Sequence, residues 1–275
     1  MAAFSRTSPE VRGYVRQQEA ADALRELGAK VAVGDIEDVE TLTTVMAGAH
    51  TVCHLVGGLD LPDDQAYERS NVGSVRSVLE AATAAKVVRF LFLSYPGASP
   101  DAPNAYLRAK GLAEEAVAGS GLQFAVIRAT HVYGPRSPWL EQTRKLARGW
   151  PATVLGSGRQ VVAPVDARDV GAVLAAADDR TQATSGTWGL EGPDRVSEDE
   201  LADLLAGRRR RKLHVSGNNA ARLARITGRR VSLTALEILE SDSVADAPDA
   251  AKEFGVTRTP LREGLERALR PVLER

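Results

Sequence analysis

The sequence predicts an α/β fold built on a doubly wound parallel sheet. Strand-like and helix-like segments alternate from residue 11 to residue 128, and the strand-like segments are nearly continuous apolar runs. Such runs are typical of parallel strands that helices cover on both faces. The predicted strands are 11–15, 30–33, 51–56, 87–93 and 123–128, and the predicted helices are 17–27, 41–47, 71–85 and 106–118.

Glycines mark the ends of several of these elements. The first helix has apolar residues at helical spacing and is followed by Gly28. Gly48 and Gly119 follow the second and fourth helices, a common arrangement because a helix often ends at glycine. The pair Gly57-Gly58 ends the third strand.

The alternation loosens after Tyr133-Gly134-Pro135. We therefore predict one domain over residues 1–133 and a smaller substrate-side lobe over 134–275, with some segments that return to the main sheet. The basic run 208–212 is interpreted as a solvated connection. Within residues 134–275 the predicted helices are 139–148, 169–177, 197–205 and one or two over 249–273. A strand is predicted at 186–191, and short extended segments over 152–164.

Composition narrows the functional class. The 275 residues are 44% hydrophobic and carry a net charge of −1. This near-neutral charge gives no electrostatic reason to expect nucleic acid or an anionic membrane as a partner. Cys53 is the single cysteine, so an internal disulfide is excluded. No apolar stretch approaches the ~20 residues of a membrane span. We expect a soluble cytoplasmic protein with a small-molecule substrate, and a homodimer is possible.

Tyr106 and Lys110 are the most informative pair of residues. Their i, i+4 spacing places both side chains on one helix face. Ser94 ends the preceding strand, so all three side chains can meet at the carboxyl end of the sheet. A phenol has a pKa near ~10, and a neighbouring ammonium lowers it towards the value that a general acid/base requires. The alternative is a surface or packing pair.

These residues and several other segments resemble the extended and atypical short-chain dehydrogenase/reductases. That group includes NAD-dependent epimerase/dehydratases and NmrA-like and complex I accessory-subunit-like NAD(P)H-binding proteins, which share a Rossmann-type fold. The resemblance covers roughly residues 11–270. Besides Ser94, Tyr106 and Lys110, it rests on the segments 31–38, 71–75, 80–82, 121–128, 132–135 and 165–170.

The resemblance implies a cofactor and the residues that bind it. Lys110 would also bind the nicotinamide ribose, Asp35 with Ile36 would hold the adenine, and Gly57 with Gly58 would let the backbone approach the cofactor. Arg16 stands where NAD-preferring members carry an acid, so NADP is favoured and NAD is possible.

Each of these cofactor residues has a plainer interpretation, and the sequence departs from the family at one point. Asp35 could be a turn residue, Arg16 a solvated residue at a helix start, and the glycine pair a strand terminator. His131 occupies a place where the family usually has proline after arginine. His54 is predicted to be a satisfied core histidine, and no metal site is predicted, because no His/Cys/Asp/Glu cluster has ligand spacing.

The first strand and glycine-rich turn of the family have no counterpart, so we describe the predicted fold as N-terminally truncated. The strand order 3-2-1-4-5 would place the missing strand centrally and leave open sheet edges. A start site assigned too late, a decayed copy, or another segment or subunit that fills the gap would each explain this. We expect such a chain to bind NADP(H) poorly.

Two functions remain open from the sequence. The first is an NAD(P)-dependent oxidoreductase or epimerase/dehydratase with Tyr106 as general acid/base. The second is a non-catalytic NAD(P)H-binding regulator or assembly factor. Because such regulators commonly lose the Tyr/Lys pair, its presence here favours the enzyme.

Overall fold

The computed structural model describes residues 10–178, 185–226 and 231–270. Its first half contains β1 (Arg12–Val15), α1 (Gln18–Glu26), β2 (Lys30–Val33), α2 (Val39–Met46), β3 (Thr51–His54), α3 (Asp64–Tyr67), a π-helical segment (Glu68–Gly73), α4 (Ser74–Ala84), β4 (Arg89–Ser94), α5 (Ala105–Ala118) and β5 (Gln123–Ala129).

The second half contains shorter elements. These are β6 (Val132–Tyr133), α6 (Pro138–Ala147), β7 (Ala152–Leu155), β8 (Val161–Val162), β9 (Val165–Asp166), α7 (Ala167–Asp178), β10 (Gly186–Leu190), β11 (Val196–Ser197), α8 (Glu198–Ala206), β12 (Lys212–Val215), α9 (Gly217–Ile226), α10 (Leu233–Leu239), α11 (Ala250–Glu253) and α12 (Leu261–Ala268).

The central sheet is parallel and has the order β10-β5-β4-β3. Strands β1 and β2 form a separate parallel pair. Within the described ranges, no strand joins β1 to β3, so each sheet keeps an open edge, as the truncated strand order predicts.

Apolar side chains cover both faces of the central sheet. In β4, Phe90 and Phe92 enter one buried cluster together with residues of α2, α4 and α5. Leu91 points the other way, because successive residues of a strand alternate between faces, and packs with residues of α7 and β10. Helices therefore lie on both sides of the sheet, which confirms the doubly wound α/β fold.

Three parts of the structure differ from the sequence prediction. The predicted helix 71–85 is the second part of a longer helical run, which begins with α3 at Asp64 and passes through the π-helical segment into α4. The basic run 208–212 was interpreted as a connection only, but Lys212 begins β12, which is held by pairing with β7. Helices α9 and α10 fall where no element was predicted.

The C-terminal prediction holds in part. Within 249–273 the structure has α11 and α12, and residues 271–273 lie outside the described part of the chain. Strand β10 pairs with β5 in the main sheet. The proposed division of the chain at residue 133/134 stays a prediction.

Candidate active site

Ser94, Tyr106 and Lys110 line one cavity of about 230 Å³. Gly57 and Gly58 line the same cavity, in the loop that follows β3. The cavity lies at the carboxyl ends of the central strands, where open α/β sheets place their ligands. The structure therefore brings together five of the eight residues that the sequence analysis selected.

Helix α5 is positioned by its first turn. The Asn104 side chain accepts hydrogen bonds from the backbone N–H groups of Tyr106 (3.1 Å) and Leu107 (3.3 Å), which caps the helix. A Cβ atom at Gly111 would lie 2.1 Å from the backbone carbon of Ser99, so glycine allows the helix to pass against this loop. The cap and the close approach together fix where Tyr106 enters the cavity.

Tyr106 is surrounded by aromatic rings. Its side chain is buried, and its ring meets those of Tyr67 and Tyr95 edge to face, with centroid distances of 6.3 and 5.7 Å. Among the described residues, its hydroxyl has no hydrogen-bond partner. Burial raises the pKa of Tyr106 above its ordinary value. The structure therefore does not show the acidified phenol that the sequence predicts, because burial disfavours the charged phenolate.

Lys110 is buried as well. Its Nζ atom donates a hydrogen bond to the Leu93 carbonyl oxygen at 3.1 Å and lies 4.9 Å from the ring centroid of Phe92 and 5.9 Å from that of Tyr106. Burial lowers the pKa of Lys110 to about 8. The ammonium is close to the phenol but is anchored to strand β4.

Asn71 lies behind the Gly57-Gly58 loop, next to the cavity, and the sequence analysis did not select it. It lies in the π-helical segment, an irregularity often found at functional sites. Its Nδ2 donates to the carbonyl oxygens of Tyr67 (3.1 Å) and Gly58 (3.3 Å), whereas its buried Oδ1 has no partner among the described residues. A Cβ at Gly57 would lie 2.6 Å from this Oδ1 and 3.2 Å from Lys110 Nζ. The sequence signal that could have identified Asn71 is a polar residue within an apolar helical pattern.

The three residues expected at the adenine end do not line the cavity. Arg16 is exposed just after β1. The Asp35 carboxylate accepts a hydrogen bond from the Glu37 N–H at 3.0 Å, which is the geometry of a turn residue. Ile36 packs against the apolar cluster beside β4. Their role in cofactor binding stays a prediction.

His131 and Trp139 form an aromatic wall of the cavity. Their rings stack with centroids 4.9 Å apart and an interplanar angle of 25°. Burial lowers the pKa of His131 to about 4, so its ring is neutral at neutral pH. The sequence analysis noted His131 only as a departure from the family.

His54 is a core residue, as predicted, but it is not satisfied. Its ring packs against Phe90 and Phe92, and neither ring nitrogen has a hydrogen-bond partner in the described chain. Burial lowers the pKa of His54 to about 3, so it stays neutral. The described residues contain no group of three or more His, Cys, Asp or Glu side chains that could hold a metal ion. In these same ranges, no helix combines the length and apolarity needed to cross a bilayer.

Residues 2–177 match the family described as NAD(P)H-binding. The chain belongs to this NAD(P)H-binding family. The match extends over more than half of the sequence and includes β1 to β5 and the candidate site. It confirms the resemblance to extended short-chain dehydrogenase/reductases that the sequence motifs indicate.

Relatives in this family have different roles. The chain is 29% identical over 177 residues to the mitochondrial NADH dehydrogenase [ubiquinone] 1 alpha subcomplex subunit 9 of Arabidopsis thaliana, covering 62% of this chain and 43% of the plant protein. It is 26% identical over 195 residues to the NAD(P)H azoreductase of Xenophilus azovorans, covering 71% and 64%. The chain therefore spans less than two thirds of the length of these curated relatives.

A solved structure shares the fold over nearly the whole chain. The UDP-glucuronic acid 4-epimerase of Bacillus cereus, in complex with UDP-glucuronic acid and NAD, superposes with a TM-score of 0.74 at 18% identity. The match covers 97% of this chain and 92% of the epimerase. This agreement shows the common α/β architecture.

Proposed function

We propose that the protein is an NAD(P)H-dependent oxidoreductase or epimerase/dehydratase in which Tyr106 transfers a proton. The observation that carries the proposal is the presence of Ser94, Tyr106 and Lys110 in one cavity beside the Gly57-Gly58 loop. Membership of the NAD(P)H-binding family supports the cofactor.

The cavity fits the nicotinamide end of the cofactor. Ser94 lines the cavity, and its buried Oγ has no partner among the described residues, so it is available to a bound group. Gly57 lets the loop after β3 lie directly against Asn71, because a Cβ there would be 2.6 Å from Asn71 Oδ1. The expectation that this chain binds NADP(H) poorly stays a prediction.

Each site residue has a defined task in the proposed reaction. Bound nicotinamide supplies a hydride to the substrate carbon or accepts one from it. Ser94 holds the substrate oxygen by a hydrogen bond, and Tyr106 donates its hydroxyl proton to that oxygen in the reductive direction. Lys110 favours the transient phenolate, since its positive charge lies near the ring.

Arg16 supports NADP as the favoured cofactor, because an arginine suits a 2′-phosphate. The small-molecule substrate, the possible homodimer and the cytoplasmic location remain expectations from the sequence.

The second candidate is a non-catalytic NAD(P)H-binding regulator or assembly factor. The likeness to a subunit named as part of NADH dehydrogenase favours it. The intact Tyr106/Lys110 pair favours the enzyme. Tight binding of NADPH without turnover of any substrate would support the regulator.

The test is turnover by the Tyr106→Phe variant of a panel of carbonyl compounds, followed by the absorbance of the reduced cofactor, and of sugar nucleotides, followed by chromatography of the products. We expect kcat to fall by about 10²- to 10⁴-fold, the usual contribution of general acid catalysis. Tyr133→Phe is the matched control, because its buried hydroxyl has no hydrogen-bond partner among the described residues and Tyr133 does not line the cavity. Unchanged turnover by Tyr106→Phe would exclude the mechanism.

A further inference from the structure

The aromatic wall formed by His131 and Trp139 is held in place from behind. The Tyr95 hydroxyl lies 3.3 Å from His131 Nδ1 and 2.8 Å from the Ser243 hydroxyl. Tyr95, His131 and Ser243 are each at least nine-tenths buried. The imidazole ring therefore has a fixed position, and the half-buried Trp139 lies against it.

One atom of this wall is left without a partner. His131 Nε2 is buried and has no hydrogen bond within the described residues, although the residue lines the cavity. Leaving a buried polar atom unpaired costs free energy, so a bound group that hydrogen-bonds to it gains that energy. Because the ring is neutral, Nε2 offers a single hydrogen bond and no charge.

The cavity has little positive charge to offer a ligand. Among the residues that the structure describes, Lys110 is the one charged side chain in the lining, and its ammonium already bonds to the Leu93 carbonyl. The rest of the lining is mainly aliphatic and aromatic. A diphosphate brought into such a cavity would lose its hydration without matching cations, which is strongly unfavourable.

We propose that the wall is a subsite for a planar, uncharged ring of the substrate. The ring would pack on His131 and Trp139, and a substrate oxygen or nitrogen would hydrogen-bond to His131 Nε2. Offset stacking between aromatic rings adds free energy beyond the area buried. This inference rests on the proposed function, since it names aromatic carbonyl compounds, rather than sugar nucleotides, as the substrate class of that same site.

The experiment measures binding to the whole chain without cofactor, by saturation-transfer difference NMR. The probes are 1-tetralone, which has an aromatic ring, and 1-decalone, its saturated counterpart of the same carbon skeleton, with UDP-glucose as the charged probe. We expect 1-tetralone to bind at least about tenfold more tightly than either other probe. Equal binding of the two ketones, or tighter binding of UDP-glucose, would overturn the proposal.

Variants locate the binding. Trp139→Leu is expected to weaken 1-tetralone binding about tenfold, whereas Trp150→Leu, at a tryptophan that is 78% exposed and outside the cavity, leaves it unchanged. His131→Phe keeps a ring but removes the nitrogen, so it should weaken 1-tetralone and spare tetralin, which lacks the oxygen. An unaltered affinity for 1-tetralone in both cavity variants would refute the subsite.

Failure of this proposal and failure of the proposed function are distinguishable. If Tyr106→Phe shows no loss of turnover, the proton-transfer role is wrong whatever the probes bind. If 1-tetralone fails to bind while another substrate class is turned over with dependence on Tyr106, the subsite alone is wrong.

Discussion

The Lys110 ammonium donates its hydrogen bond to the carbonyl oxygen of Leu93, the residue that precedes Ser94. This bond ties the middle of α5 to the end of β4. Tyr106 lies one helical turn before Lys110, so the bond also fixes the phenol relative to the Ser94 hydroxyl. Lys110 therefore holds Tyr106 and Ser94 in position and also supplies a positive charge next to them.

Burial of Lys110 should make stability depend on pH. Its pKa is about 8 in the fold and 10.5 ordinarily, so between these values the unfolded chain binds more protons than the folded one. The contribution of this group to the free energy of unfolding therefore rises with pH across that window. Below pH 8 the fold bears the full free-energy cost of burying the charged ammonium. The Lys110→Met variant should therefore be more stable than the unmodified protein by roughly 2 kcal/mol at pH 7.

Urea denaturation of both proteins from pH 7 to 10 checks this prediction, because the difference between them isolates Lys110 from other groups that titrate. The advantage of Lys110→Met should shrink as the pH rises. A difference that stays constant over the series would show that Lys110 is not desolvated.

Gly57→Ala should destabilise the protein by roughly 3 kcal/mol, from backbone strain and a steric clash. Gly57 has φ +154°, and the new Cβ would lie 2.6 Å from the buried Asn71 Oδ1. Gly121→Ala is the control, because Gly121 has φ +78° and no atom within 4 Å of a built Cβ. Chemical denaturation should give a clearly larger loss at Gly57, and equal losses would contradict the clash.

Arg128→Met should cost roughly 3 kcal/mol. Arg128 bonds to both carboxylate oxygens of Glu114, at 3.0 and 2.7 Å, and to Asp246 at 3.0 Å, so it joins β5 to α5 and to the C-terminal region. Its loss leaves the mostly buried Glu114 unpaired. Arg25→Met removes a pair with Asp22 in which both side chains are exposed, at 44% and 59%, and should cost less than about 1 kcal/mol. Thermal unfolding distinguishes the two, and similar shifts would refute a structural role for Arg128.

Arg16→Ala should weaken NADPH binding about tenfold and leave NADH binding unchanged, because only NADPH carries the 2′-phosphate. Titration calorimetry with both cofactors measures this. Arg25→Ala is the control, since Arg25 is an exposed arginine of α1 that pairs with Asp22. A parallel loss for both cofactors would assign Arg16 a general electrostatic role instead.

The sequence predicted best those parts that local pattern determines. Strand β4 is a continuous apolar run, and helix α5 ends at Gly119. Both elements can therefore be placed from the sequence alone, and with them Ser94, Tyr106 and Lys110. Strand β12 is short and basic and is held by pairing with the distant β7. The raised pKa of Tyr106 depends on Tyr67 and Ile238, which reach it only through the tertiary fold. No local pattern carries such information.

The break between the two parallel sheets has a mechanical consequence. Strands β1 and β2 share no backbone hydrogen bond with β3, and they meet the rest of the fold through side chains such as Tyr14. Backbone ladders transmit displacement more stiffly than side-chain contacts do. We therefore expect the β1–β2 layer to loosen as a unit while β3, β4 and β5 keep their register.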